Sequence, residues 1–510
     1  MQSCTCPYGN TKRLPRPINC KKLSAQDSVL KIAFLFSEQA MNNGQEIKNS
    51  GQILSDQDTI AAIATPIGQA GIGIIRVSGP LSLKIAKKIF RPKNPLSHFK
   101  SHFLQLGQVY DPSSLSLIDE VLLSYMKAPH SYTREDVIEI NSHSGHLILS
   151  MLLQVVINEG ARLARPGEFT LRAFVNGRID LTQAEAVMNL INSQSVRGLH
   201  LASQQVQGLF RQKIEELRHR VVDILAQVEV AIDFPEEDAD IVPREEAINS
   251  IRRYVIGPIE ELIEAHASKR FWVDGVNTVI VGRVNAGKSS LFNRLLNEQR
   301  AIVTSVPGTT RDVIGSHISV NGVPLRLMDT AGFGEVKDEL EKIGVHLAEK
   351  KMMEADLLLV VVDQSRPLND DDLGIIKTAR GKKALIVVNK IDLPFAMNQG
   401  SYMDGFPVAR ISALTGQGLN ELRKTIVQCI FKDDTDLVSS NIVPNLRHKQ
   451  ALVDAAAFFN GAVRNLEVES PMEIVAEELT SGLEALGGII GETTGEEVLD
   501  SIFSQFCLGK

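Results

Sequence analysis

The sequence predicts a multidomain α/β chain. An α+β unit comes first, a helical domain follows, and a parallel sheet covered by helices on both faces is inserted into that helical domain. Three observations predict this. Strand-like and helix-like runs mingle from Asp58 to about Val175. From about Asn277 to Lys432 short apolar strand runs alternate with helical stretches, the pattern of a parallel sheet. Helical periodicity precedes that stretch from Leu181 to about Ser268 and resumes after Pro444.

Residues 1–52 are polar and lean basic through Lys12, Arg13, Arg16, Lys21 and Lys22, without periodicity before residues 29–36. Lys31 breaks that apolar run and makes it a poor secretory core. A disordered tail, a targeting peptide and an extension ahead of a start at Met41 all fit, and the expectation is a dispensable extension. In residues 53–176, strands are expected at 59–64 and 73–77, separated by Pro66 and Gly68, and at 118–125 and 136–140, with a helix at 146–158. In residues 177–274, apolar side chains recur every three or four residues over 184–192 and 209–232, and Phe234-Pro235-Glu236-Glu237 interrupts them. In residues 275–432, strands are expected at 278–281, 325–328, 357–363 and 384–389. Residues 433–510 return to helix. An insertion tethered at both ends can pass nucleotide-driven motion into the flanking helices.

At 510 residues the chain has length for about three domains. Its 44% hydrophobic and 23% charged residues are ordinary for a soluble globular protein. The longest apolar run, residues 357–362, is far too short to span a bilayer, so no membrane partner is expected. A net charge of −7 gives no global pull on nucleic acid, so an RNA partner would need a local basic patch. The five cysteines, Cys4, Cys6, Cys20, Cys429 and Cys507, form no paired framework, which suits a reducing cytosol and a cytoplasmic location. Cys4, Cys6 and Cys20 lack a fourth ligand or nearby His, which argues against zinc.

Four motifs carry the chemistry. Gly282-Arg283-Val284-Asn285-Ala286-Gly287-Lys288-Ser289 is a phosphate loop between a strand-like run and a helix-like stretch at 290–296. Its backbone N–H groups would wrap phosphates, Lys288 would face the β- and γ-phosphates, and the Ser289 hydroxyl would ligate Mg²⁺. Thr309-Thr310, Asp329-Thr330-Ala331-Gly332 and Asn389-Lys390-Ile391-Asp392 follow in that order. Thr310 offers a second hydroxyl to Mg²⁺, Asp329 can hold the ion through water, and Gly332 gives the backbone room at the γ-phosphate. The last motif selects the base. A carboxylate only accepts hydrogen bonds; guanine presents N1–H and N2–H donors and adenine does not, so the ligand is GTP.

Two expected parts of a hydrolase are missing. Many small GTPases place a Gln just past Asp-x-x-Gly to orient water, but Phe333 and Gly334 stand here. Glu335, Glu339 and Glu341 are the acidic candidates, and each also reads as part of a solvated helix start. No arginine finger is evident. Asn285 either caps its loop or offers an oxygen to a monovalent cation between the phosphates.

At this point the sequence resembles a known family, the MnmE/TrmE-type tRNA modification GTPases, over about Asp56 to Lys510. The likeness rests on Asp58-Thr59-Ile60-Ala61-Ala62-Ile63-Ala64-Thr65-Pro66, Gly71-Ile72-Gly73-Ile74-Ile75-Arg76, Ser131-Tyr132-Thr133-Arg134-Glu135-Asp136 and Ala164-Arg165-Pro166-Gly167-Glu168-Phe169-Thr170. It extends through Asp180-Leu181 to Ala184-Glu185-Ala186 and ends in Phe506-Cys507-Leu508-Gly509-Lys510, similar to a terminal Cys-x-Gly-Lys. The resemblance implies a tetrahydrofolate-binding N-terminal domain that dimerises, a helical domain and an inserted G domain. It implies a homodimer that works with the FAD-dependent MnmG, in a heterotetramer or larger complex, on the wobble uridine of certain tRNAs. C5 of that uridine would receive an aminomethyl or carboxymethylaminomethyl group, with the one-carbon unit from 5,10-methylenetetrahydrofolate or 5-formyltetrahydrofolate. GTP hydrolysis would depend on K⁺ and on pairing of two G domains.

By the same resemblance, GTP would be met by Asn285, Ala286, Gly287, Lys288, Ser289 and Ser290, by Thr304, Ser305, Val306, Pro307, Gly308, Thr309 and Thr310, by Asp329, Thr330, Ala331 and Gly332, by Asn389, Lys390 and Asp392, and by Ser412 and Ala413. Asn285, Thr304, Val306 and Thr309 would surround K⁺, Ser289 and Thr310 would bind Mg²⁺, and Glu341 would orient the attacking water. Arg76, Glu135, Arg178 and Lys510 would contact the folate. Cys507 is either a nucleophile or acid, or a small supporting residue. Departures from the family pattern are Val284 for Pro, Gly334 for Arg, Arg178 for Lys and Ser142-His143-Ser144-Gly145 for a glycine-rich run. Two other readings compete. A GTPase of ribosome assembly would carry a second G domain or a KH domain, but one phosphate loop is present and Gly488-Ile489-Ile490-Gly491 lacks basic neighbours. A nucleotide-gated scaffold that only recruits MnmG is the other.

Overall fold

The computed structural model describes residues 58–66, 68, 70–95, 98–233, 244–297, 316–329, 352–397, 401–431 and 442–510. The first sheet is built from β1 (Ile60–Ile63), β2 (Ile72–Ser78), β3 (Phe90–Pro92), β4 (Leu104–Tyr110), β5 (Leu117–Met126), β6 (Val137–His143) and β7 (Arg162–Leu163). These seven strands lie in the order β3-β4-β5-β6-β2-β1-β7. Neighbours run antiparallel except β1 and β7. Helices α1 (Ser82–Ile89) and α2 (His146–Asn158) close one face over Ile75, Val77, Leu123 and Ile140. Helix α3 (Glu168–Val175) belongs to the opposite side, where Phe169 packs on Ile60, Ala62 and Ala164. The sheet therefore has a dry face under two helices and a second face half covered by α3.

The second sheet combines β8 (Val276–Val281), β9 (Ser316–Val320), β10 (Val323–Asp329), β11 (Leu357–Asp363), β12 (Ala384–Asn389) and β13 (Val408–Arg410). Its order is β13-β12-β11-β8-β10-β9, parallel throughout except for the antiparallel edge strand β9. Strand β11, Leu-Leu-Leu-Val-Val-Val-Asp, is buried over its first six residues. A continuous apolar run of this kind marks a strand covered on both faces. Helices α9 (Lys288–Asn297) and α11 (Leu419–Ile430) pack on one face, and α10 (Asp370–Ala379) on the other.

Helices α4 (Leu181–Asn192), α5 (Val196–Val206), α6 (Leu209–Asp233), α7 (Arg244–Ile251) and α8 (Gly257–Val273) precede the second sheet, with a π-helical turn, Arg252–Ile256, joining α7 to α8. After the sheet come α12 (Leu446–Glu467), α13 (Met472–Ile490) and α14 (Glu496–Phe503). The two sets share one core: Phe210, Ile214, Leu217 and Val221 pack with Leu452, Phe459, Leu479 and Leu483. The break expected at residues 234–237 lies outside the described residues, as does the 1–52 extension.

The helical unit and the second sheet meet at Trp272. Its ring stacks on Phe431 at 4.8 Å and 14°, and the Arg197 guanidinium lies 4.6 Å from it. Trp272 is 5% exposed, and its carbonyl accepts from the Ser195 hydroxyl at 3.3 Å. Leu201 of α5 joins the core of the sheet, and the Gln205 amide donates to the Val443 carbonyl at 2.6 Å. The segments that lead into and out of the sheet are thus held by one helix.

Candidate functional site

The phosphate loop leaves the end of β8 and delivers Lys288 to the first turn of α9. Asn285 adopts the left-handed conformation at φ 66°, which Asn tolerates better than most side chains. Its neighbour Gly287 has φ 98°, and a β-carbon there would lie 2.1 Å from the Asn389 amide nitrogen. Lys288 Nζ donates to the Arg283 carbonyl at 3.0 Å, which holds the ammonium over the loop. Ser289 and Ser290 are exposed in the first turn of the helix, where helix N–H groups and dipole favour an anion.

Asn389 is 2% exposed and uses both ends of its amide internally. Nδ2 donates to the Ala286 carbonyl at 2.9 Å, and Oδ1 accepts from the Ala413 N–H at 3.0 Å. It is a strut between the phosphate loop and the Ser412–Ala413 loop. Of the two residues that the sequence reading gave to the base, Asn389 is thus engaged internally and Asp392 is exposed. Lys390 has φ 66° and ties Nζ to Asp363 Oδ2 at 2.6 Å, leaving its stem to present. Burial works to raise the Asp363 pKa, but the Lys390 and Ser365 hydrogen bonds outweigh it and hold the carboxyl below its ordinary value. Ser412 is buried; its hydroxyl accepts from the Thr415 N–H at 3.1 Å and its N–H donates to the Gln417 carbonyl at 2.9 Å, so it shapes the loop beside Ala413.

Asp329 ends β10. Thr304, Ser305, Val306, Pro307, Gly308, Thr309, Thr310, Thr330, Ala331, Gly332 and Glu341 lie outside the described residues. The exposed Ser289 hydroxyl, beside Lys288 at a helix N-terminus, is a donor set that suits Mg²⁺ with a phosphate.

The other candidate residues gather where the chain's last residues meet the first sheet. Arg76 on β2 sits opposite Glu139 on β6, and its Nε donates to that carboxylate at 2.8 Å. Its Nη1 donates to the Gly509 carbonyl at 2.9 Å, and its guanidinium lies 5.7 Å from the Phe169 ring. The Phe169 N–H donates to the Lys510 carbonyl at 3.2 Å. Burial chiefly, and then the Arg76 charge, lowers the Lys510 pKa, opposed by Cys507 and Glu139. Two cations held together this way fit an anionic ligand with hydrogen-bond acceptors, as a folate is. Cys507 is exposed nearby.

Glu135 is engaged differently. It accepts from the Ser78 hydroxyl at 2.6 Å and from Arg172 at 3.0 Å. Arg178 donates to the Ser131 carbonyl at 2.9 Å and lies 4.9 Å from the Tyr132 ring. Tyr132 in turn packs on the cluster around Phe169. Arg76 thus touches Gly509, the residue before Lys510, whereas Arg178 reaches the Phe169 cluster through Tyr132 and Glu135 is held apart by Ser78 and Arg172. Arg172, 3% exposed, also binds Asp58 and Glu168. Burial would raise the Asp58 pKa, but Arg172 and Arg162 keep it below the ordinary value.

Two family models match. One described as the N-terminus of the GTP-binding protein TrmE covers residues 59–178, and one described as the MnmE helical domain covers 181–507. A tRNA modification GTPase MnmE of Alkaliphilus oremlandii is 42% identical over 458 residues, spanning 89% of this chain and 99% of that protein. The chain belongs to the MnmE family.

Another MnmE, from Geobacter metallireducens, is 44% identical over 458 residues, again 89% of this chain and 99% of that protein. That of Geobacillus kaustophilus is 42% identical over 464 residues, 90% and 100%. With family membership in place, two groups that the sequence reading gave no role gain interest. One is the Asp58–Arg172–Glu168 cluster. The other joins the helices flanking the second sheet: Glu185 of α4 takes two bonds from Arg447, at 2.9 and 2.8 Å, and one from His448 Nε2 at 2.6 Å. Arg447 also donates to the carbonyls of Gly488 and Ile489. The Gly-Ile-Ile-Gly segment is therefore the stop of helix α13, held by Arg447.

Proposed function

We propose that this chain is a GTPase of tRNA modification, acting with the FAD-dependent MnmG at C5 of the wobble uridine. The observation that carries the reading is the Asn389 strut, which brings the phosphate loop and the exposed Asp392 into one site in a chain similar to MnmE proteins along nearly its whole length. Phosphates would lie on the loop N–H groups with Mg²⁺ on Ser289 and Thr310, and guanine would face Asp392. Glu341 would orient the water. A potassium ion held by Asn285, Thr304, Val306 and Thr309 would supply the positive charge that an arginine finger gives elsewhere, a contribution worth about 10³–10⁵ in rate.

The site around Arg76 and Lys510 would hold a tetrahydrofolate. Bound there, the folate supplies a one-carbon unit. Arg76 and Lys510 would fix its carboxylates and ring acceptors, and the Arg172 ion cluster would keep Glu135 in place. The chain would act as a homodimer, through its N-terminal unit, with transient pairing of G domains.

The test is GTP hydrolysis by the purified protein in matched KCl and NaCl over a range of protein concentrations, with Glu341→Ala alongside. Activation by K⁺ that rises with protein concentration, and loss of turnover with retained GTP affinity in Glu341→Ala, are the expected results. Equal rates in both salts would remove the potassium site, and a parallel loss of affinity would reassign Glu341.

A further inference from the structure

We propose that Tyr254, flanked by Arg220 and Arg253, is a stacking platform for single-stranded RNA on the helical unit. This rests on the tRNA reading above and gives that substrate a contact surface. The geometry has a cause in the sequence. Pro258 has no N–H, so the Tyr254 carbonyl cannot receive an α-helical bond, and the Gly257 N–H instead reaches the Arg252 carbonyl five residues back. The resulting π-helical turn, Arg252–Ile256, is a rare form that recurs at functional sites. It buries Val255 and Ile256 in the helical core and leaves Arg252, Arg253 and Tyr254 consecutive on the surface.

Tyr254 is 50% exposed. The guanidinium of Arg253 lies 5.5 Å from its ring and that of Arg220, on the neighbouring helix α6, 6.0 Å. Neither guanidinium has an anionic partner within bonding distance among the described residues. Of the acidic groups nearest in the helical register, Glu467 takes Arg252 and Glu216 takes Lys213, while exposed Asp223, three residues along α6 from Arg220, forms no ion pair with it. An exposed aromatic ring with two guanidinium planes is the composition that stacks unpaired bases while drawing their phosphates. In a chain of net charge −7, such a local patch is what RNA binding requires.

The experiment measures binding of the full-length protein to an unmodified tRNA by fluorescence anisotropy across salt concentrations, with GTP hydrolysis measured on the same preparations. Tyr254→Ala should weaken binding between about 5- and 150-fold, the span known for removing one aromatic stack, and Tyr254→Phe should restore it. Arg220→Gln with Arg253→Gln should lower the slope of log affinity against log salt by about 1.4. GTP turnover should not change in any of these variants. Wild-type affinity in the variants overturns the platform while leaving the tRNA reading intact. Absence of binding by the wild type, with no tRNA modified when the FAD partner is added, overturns the tRNA reading itself. Equal losses in Tyr254→Phe and Tyr254→Ala would assign the effect to the hydroxyl and also refute stacking.

Discussion

Asn389 and Asp392 stand three residues apart in one motif yet in different surroundings. The first is a buried strut whose amide bonds the phosphate loop and the Ala413 loop, and the second is an exposed carboxylate. Their substitutions should separate accordingly. Asp392→Asn should weaken GTP binding about 10- to 150-fold, the worth of a hydrogen bond or two to a charged group, and improve binding of xanthosine triphosphate. Its melting temperature should not move. Asn389→Ala leaves the Ala286 carbonyl and Ala413 N–H without partners, so it should lower thermal stability and affinity for both nucleotides together. Nucleotide titration and thermal melts on both variants distinguish these outcomes. The motif was legible in the sequence because phosphate and base recognition demand fixed residue types at fixed spacing. The division of labour inside it was not, since the bonding partners of Asn389 lie 103 and 24 residues away.

Elements formed where periodicity was unbroken. The helix expected at 146–158 and the strands at 357–363 and 384–389 appear with those bounds, because each is a clean apolar run. Strand β4 carries no such signal: Gly107 interrupts it, and the glycine is required because a β-carbon there would lie 2.4 Å from the Arg91 carbonyl. Ion pairs between elements were equally silent. Glu185 and Arg447 are 262 residues apart, so nothing in local pattern joins them. Burial would raise the Glu185 pKa, but His448 and Arg447 reverse this and hold it well below the usual carboxylate range, while burial pushes His448 down. A carboxyl depressed in the folded state contributes stability that is present above its unfolded value, 4.5, and lost as pH falls below it. The helical unit should therefore melt at progressively lower temperature on acidification below about pH 5. Glu185→Gln should be less stable at neutral pH by about 3 kcal/mol and show a flatter acid limb. Melts from neutral to acid pH, followed by circular dichroism at a helix wavelength, read both effects.

At the scale of the molecule, one helical core made from residues on both sides of the second sheet means that the sheet's two tethers are fixed to the same body. Motion at the nucleotide site would then have a short route outward, through α5 and the aromatic stack of Trp272 on Phe431. The sequence contains a single tryptophan. That residue sits, 5% exposed, where the chain enters the sheet, against the residue where it leaves. Tryptophan emission of the unlabelled protein, excited beyond the absorption of its six tyrosines, is consequently a signal from this junction alone. Its emission should be blue-shifted at rest and should change when GTP and K⁺ are added together, but not in Trp272→Phe, whose tryptophan signal is gone. A spectrum that stays constant through turnover would mean that the junction moves as a rigid piece and that any relay runs elsewhere.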